Sequence, residues 1–125
     1  MNILWFSWKD TSHPAAGGAE YISSQIVKGL VKEGHKVILL TSRFPGAKQK
    51  ETRDGYKIIR VGNRYTVYWE AYRYYKSHLE NWADEIIEEI NTIPFMTQWY
   101  SKKKRTLLIY QLCREIWFLS AVVSI

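Results

Sequence analysis

Apolar residues fall along this chain in blocks whose period changes from one block to the next. ILWFSW, residues 3 to 8, is a continuous apolar run bounded by a polar loop, as expected of a strand buried on both faces of a parallel sheet. From Ala19 the spacing becomes helical. Ile22, Ile26 and Leu30 recur every fourth residue with Val27 and Val31 beside them, and Gly34 follows as a C-terminal cap. This predicts a helix laying its isoleucine stripe on a sheet. KVILLTS at 36 to 42 is a second buried strand, so residues 2 to 42 form one strand-helix-strand crossover, a connection that is almost always right-handed.

The next segment, ETRDGYKIIRVG, sets Asp54 and Gly55 between two extended stretches and predicts a tight hairpin with its second strand over Tyr56 to Val61. Residues 66 to 82 carry Tyr68, Tyr72 and Tyr75 on one helical stripe with Trp69 close to it, read as a core face rather than a base- or sugar-stacking platform. ADEIIEEIN is assigned as a strand because it follows a helix in a strict alternation, although its glutamates also permit a helix. After Pro94, FMTQWYS suits a short helix and TLLIYQL at 106 to 112 a further buried strand. A final apolar helix or strand follows from Cys113. The expected fold class is α/β: a Rossmann-like, doubly wound, mostly parallel sheet with a β-hairpin insertion, forming a single domain over residues 1 to 125.

Composition changes this picture little. One cysteine and no Cys/His cluster at ligand spacing point to a metal-free fold in a reducing compartment, so a cytoplasmic location is expected. The N-terminus has no basic region or cleavage site before its apolar run, which argues against a secretory signal. A net charge of +6 raises the question of nucleic acid, but the excess is dense only at Lys102, Lys103, Lys104 and Arg105, so no nucleic-acid partner is expected. That run reads either as a solvated turn or as a contact with anionic lipid head groups at the inner face of a membrane.

Candidate chemistry concentrates in HPAAGGAE, between the first strand and the first helix. Ligands of open parallel sheets bind outside the carboxyl ends of the strands, and helix N-termini offer unpaired N–H groups and partial positive charge. Gly17 and Gly18 could let a diphosphate or sugar hydroxyl approach the backbone, or could merely supply turn angles, with Glu20 stabilising the first helical turn. His13 lies in the same loop. The loop lacks GxGxxG and the chain lacks GxxxxGK[ST], so neither the usual dinucleotide fingerprint nor a P-loop is present and ATP hydrolysis is disfavoured. Arg43, after the second strand, is a weak signal for a ribose phosphate of the kind NADP-binding domains receive there.

Taken in order, these pieces resemble the N-terminal domain of the family-4 glycosyltransferases of the GT-B fold. The matching elements are GGAE at Gly17, Gly18 and Glu20, the turn at Gly34, His35 and Val37, the hairpin DGYKIIRVGNR, and DEIIEEINTIPFMT, together covering most of residues 1 to 118. The resemblance implies a retaining, metal- and cofactor-independent transferase that moves a sugar from a nucleotide-sugar donor to a hydroxyl acceptor, in polysaccharide or glycolipid synthesis. It implies that this chain is the acceptor-side half, with the C-terminal donor-binding half absent and the chain alone inactive. Gly17, Gly18, His13 and Glu20 would then face the substrate and the donor diphosphate. Tyr110 stands where similar sequences carry a histidine near the reacting sugar; a tyrosine can hydrogen-bond a hydroxyl there but does not titrate near neutrality. The alternatives are a non-catalytic α/β interaction module and an NADP-binding reductase-like domain.

Overall fold

A computed structural model describes residues 1–14, 17–90, 95–113 and 116–124, with side chains described as far as Leu108. Seven strands form one sheet: β1 (Asn2–Phe6), β2 (Lys36–Thr41), β3 (Lys50–Arg53), β4 (Tyr56–Arg60), β5 (Glu85–Ile90), β6 (Lys104–Cys113) and β7 (Ile116–Ser124). Their spatial order is β3-β4-β2-β1-β5-β6-β7. The inner five pair in parallel, while β3 and β7 are antiparallel strands on the two edges. Strand order reverses between β1 and β5, the position at whose carboxyl ends open α/β sheets generally bind ligands.

Alternation along β1 builds two cores. Ile3 and Trp5 face α1 (Gly18–Lys32) with Val37, Leu39 and Ile58, whereas Leu4 and Phe6 face α2 (Val67–Tyr74) with Ile38, Leu40 and Ile59. Each fully buried large apolar side chain contributes about 1.5–3 kcal/mol, and burial on both faces explains why the strands read as unbroken apolar runs. Helix α2 continues as a π-helical turn, Tyr75–Leu79, which turns Tyr75 fully into the core while Tyr68 and Tyr72 are half-buried. The tyrosine stripe is therefore a core face, and Trp69 beside it is exposed. The hairpin has the positive φ values at Asp54 (50°) and Gly55 (86°) that a two-residue primed turn demands. FMTQWYS contains one 3-10 turn, Thr97–Trp99, and the last apolar segment is a strand.

Helix α1 is rotated from the expected orientation. Its sheet-facing residues are Ala19, Ser23 and Val27, flanked by buried Glu20 and Ser24, while Ile22 and Ile26 are 36% and 37% exposed. The rotation brings two polar side chains, Glu20 and Ser23, to partners described below. Satisfying buried polar groups outweighed burying the isoleucine stripe.

Candidate functional site

The carboxyl end of β1 leads through Ser7 and Trp8 into the loop before α1, and every predicted loop residue gathers there. Gly17 is the N-cap of α1 and Gly18 its first residue. The Gly17 N–H donates to Glu20 Oε2 at 3.1 Å, and Glu20 Oε1 faces Lys9 Nζ at 3.1 Å. Glu20 is thus a buried carboxylate that ties the helix start to the strand end. Gly17 has φ −144° and ψ −152°, an extended backbone open to any residue, and a Cβ built there meets nothing within 4 Å. Neither turn geometry nor internal packing calls for glycine at this position.

His13 packs edge-on against Trp8 and Phe44, with ring centroids 5.7 and 5.3 Å away. Burial, followed by the positive charge of Lys9, holds its imidazole below its ordinary value, so it is neutral at pH 7. Tyr110 lies on β6 beside a register irregularity, one residue beyond the last pairing with β5; its side chain is outside the described residues. Arg43 follows β2 and is exposed.

The sequence reading missed two groups that shape this edge. Glu89, near the end of β5, is fully buried on the α1 side, where Oε1 accepts from Ser23 Oγ at 2.6 Å and Trp5 Nε1 at 3.2 Å. Its Oε2 lies 3.1 Å from Ser7 Oγ, which in turn lies 2.9 Å from the Lys9 carbonyl. One hydroxyl proton cannot serve both. A neutral Glu89 resolves this by donating from Oε2 to Ser7 Oγ, which then donates to the carbonyl. Burial pushes the Glu89 carboxyl up to about 7, in keeping with that proton. A cavity of about 20 Å3 adjoins it, lined by Ser7, Lys9, Asp10, Glu20, Ser23 and Glu89. It has room for about one water.

The second group is a latch between the loop and the hairpin. Arg60, at the end of β4, donates from Nε and Nη2 to Asp10 at 2.9 and 3.2 Å, and from Nη1 to Glu51 Oε1 at 3.0 Å and the Lys48 carbonyl at 2.9 Å. Asp10 Oδ1 also accepts the Ser12 N–H at 2.8 Å, and Arg53 donates to Thr11 Oγ1 at 2.8 Å and to Ser12 Oγ. Both Arg60 and Asp10 side chains are 1% exposed. The loop that carries His13 is held from below by charge-assisted bonds. An arginine in RVG and an aspartate in WKDTS are unremarkable in sequence, and only their meeting across the sheet gives them a role.

The basic run at 102–105 does not form one patch. Lys104 pairs with Glu85 at 3.7 Å, and Arg105 is buried with its guanidinium donating to Gln98 Oε1 at 3.1 Å. Among the described residues no helix is long and apolar enough to cross a membrane, and no three acidic, histidine or cysteine side chains group to hold a metal ion.

No family model matches the chain, and no curated protein matches it. Among solved structures it is similar to sucrose-phosphate synthase from Thermosynechococcus elongatus, with 18% identity and a TM-score of 0.55 over 70% of this chain. The match covers 27% of that protein, so the chain spans about a quarter of its neighbour's length. At this identity the likeness is one of fold: the chain has a Rossmann-like, mostly parallel α/β fold like the matched part of that protein.

Proposed function

We propose that the carboxyl edge of this sheet is one wall of a sugar-transfer cleft, the acceptor-side wall of a glycosyltransferase using a nucleotide-sugar donor. The observation that carries this reading is the Gly17–Glu20 helix start, open above Gly17, at the point where strand order reverses. Unpaired N–H groups at such a start favour a diphosphate, and the absence of a Cβ at Gly17 and Gly18 lets its oxygens come close. Such transfer proceeds mostly by positioning and by stabilising charge on the departing diphosphate, which a fixed helix N-terminus does without reorganisation. The groups that would hold the base and ribose belong to a second, donor-binding half, so residues 1–125 alone are expected not to turn over. Tyr110, one residue past the last pairing of β6 with β5, is proposed to meet the acceptor or the reacting sugar.

The test is transfer or hydrolysis of UDP- and GDP-sugars by the chain alone and together with a donor-binding half. Transfer only in the combined sample, abolished by Gly18→Val with the fold retained by circular dichroism, is the expected result. No transfer in either sample, with no nucleotide-sugar binding by calorimetry, overturns the reading.

A further inference from the structure

The end of β1 is tied to β5 through the Ser7 hydroxyl, which has two acceptors in reach and one proton to give. Ser7 Oγ lies 3.1 Å from Glu89 Oε2 and 2.9 Å from the Lys9 carbonyl. The neighbouring ties of this stretch are fixed. The Ser7 N–H donates to the Leu40 carbonyl at 3.0 Å, the Ser42 N–H donates to the Trp8 carbonyl at 3.3 Å, and Arg60 holds Asp10 at 2.9 and 3.2 Å. The tie at Lys9 differs from these, because it depends on which way the Ser7 proton points.

With Glu89 neutral, Oε2 donates to Ser7 Oγ, and the Ser7 proton goes to the Lys9 carbonyl. When the carboxyl proton leaves for solvent, Oε2 becomes an acceptor. A buried carboxylate then draws the Ser7 proton to itself, since a charge-assisted hydrogen bond is roughly twice as strong as a neutral one. The Lys9 carbonyl loses its bond from Ser7. The new charge also acts on the other end of Lys9, whose Nζ sits 3.1 Å from Glu20 Oε1 and 4.5 Å from the centroid of the Trp8 ring, and which lines the small cavity beside Glu89. A second carboxylate at that cavity pulls the ammonium away from the Trp8 face. Trp8 in turn packs on His13.

The groups around Glu89 are few. Glu20 faces it from α1 and opposes its ionisation, whereas Lys9, from the loop, favours it. Asp10, from the same loop, is paired with Arg60. Tyr56, from β4, lines the cavity with a phenol that burial keeps neutral, and the residue opposite Glu89 on β6 is Leu108, which does not titrate.

We infer that Glu89 is a proton-operated switch for the loop after β1: protonated, it fastens Lys9 through Ser7, and ionised, it releases Lys9 and shifts Trp8. Burial sets the release of this proton at about 7. The segment that moves leads toward the start of α1, so a change of pH near neutrality changes the shape of this edge.

The switch needs no ligand, so its test on the purified 125-residue chain is separate from the transfer assay. NMR of the isotope-labelled chain follows the Glu89 carboxyl carbon, the Lys9 carbonyl carbon and the Trp8 indole N–H from about pH 5.5 to about pH 8.5, a window that brackets the release. All three should move with one midpoint near 7, above that of His13, which burial holds below 6.5. Glu89→Gln, whose amide still donates to Ser7, should abolish the step at Lys9 and Trp8 and fix both signals at their low-pH positions. Ser7→Ala should leave Glu89 titrating while the Lys9 carbonyl loses most of its step; if that variant does not fold, the Glu89→Gln titration decides. The inference is overturned if Glu89 titrates while Lys9 and Trp8 stay in place, if Glu89 keeps one charge state across this range, or if the step persists in Glu89→Gln.

Discussion

Arg60 holds Asp10 through two hydrogen bonds, with both side chains 1% exposed, and so fastens the loop after β1 to the hairpin next to β2. Removing one partner of a buried pair leaves the other charge uncompensated, a loss of about 3–5 kcal/mol. Asp10→Ala should therefore lower the urea unfolding free energy by about 3 kcal/mol or more. Asp10→Ala combined with Arg60→Met should be more stable than the sum of the single changes predicts, because no lone charge remains. Strict additivity would show that the pair does not act as a unit.

Glu89 makes stability depend on pH in a definite direction. Its folded value of about 7 lies above the ordinary 4.5, so the unfolded chain releases this proton first as pH rises. Stability contributed by the neutral carboxyl is full below about 4.5, falls between 4.5 and 7, and is lost above 7. The difference amounts to about 3 kcal/mol. Glu89→Gln, whose amide can donate to Ser7 Oγ as the protonated acid does, should flatten this part of the profile and raise Tm at pH 8 while leaving it nearly unchanged at pH 4.5. An identical pH profile in the variant would show Glu89 to be ionised in the fold.

Two glycines on the same edge should answer alanine oppositely. At Gly17 the backbone is extended and the space open, so Gly17→Ala should leave thermal stability within about 0.5 kcal/mol of the parent. At Gly62 φ is +61° and an added Cβ would lie 2.7 Å from Thr66 Oγ1. Gly62→Ala should cost about 1–3 kcal/mol and shift the Asn63 and Thr66 amide signals. Equal losses at the two sites would contradict this geometry.

The rotation of α1 can be read from substitutions on its two faces. Val27 is buried and Ile26 is exposed, so Val27→Ala should cost about 2 kcal/mol and Ile26→Lys no more than about 0.5. Chemical denaturation measures both. The reverse ranking would restore the isoleucine stripe to the core.

His13 reports the potential of the loop. Its NMR titration midpoint should fall below the ordinary 6.5, chiefly through burial, and Lys9→Gln should move it upward by removing a neighbouring positive charge. Because the unfolded imidazole takes up a proton first, the stability this group contributes is present above 6.5 and declines as pH falls through its lower folded value. A midpoint above 6.5 would mean that the imidazole is governed by the negative charge of Asp10 or Glu20 rather than by burial.

Much of the fold was legible because burial on both faces writes itself as unbroken apolar runs. Leu4 to Phe6, Val37 to Leu40 and the Asp54-Gly55 turn each carry a local signal that tertiary structure did not override. Helix α1 was misread in its facing because periodicity counts apolar residues, and here Ser23 and Glu20 turn inward to meet Glu89 and Lys9. The loop of Gly17 and Glu20 stands out in the sequence by its place after the first strand. Asp10, Arg60 and Glu89 were not, since each gains its meaning from a partner fifty or more residues away, and nothing in a one-dimensional pattern marks that meeting.

Glu88 and Glu89 are neighbours on β5, yet both are buried, on opposite faces of the sheet. Glu88 accepts the N–H groups of Phe95, Met96 and Thr97 at 3.0, 3.3 and 3.0 Å, with Met96 held at φ +63° to aim them, while Glu89 serves Ser23, Trp5 and Ser7 on the other side. If β5 slid by one residue toward either end, one carboxylate would land on the other's donors and an isoleucine, Ile87 or Ile90, would face the donors left behind. Apolar pairing alone would tolerate several alignments of EIIEEI against its neighbours. The two acids act together as a key that fits at one setting, so the strand beside β1 finds its alignment by polar matching rather than by oiliness.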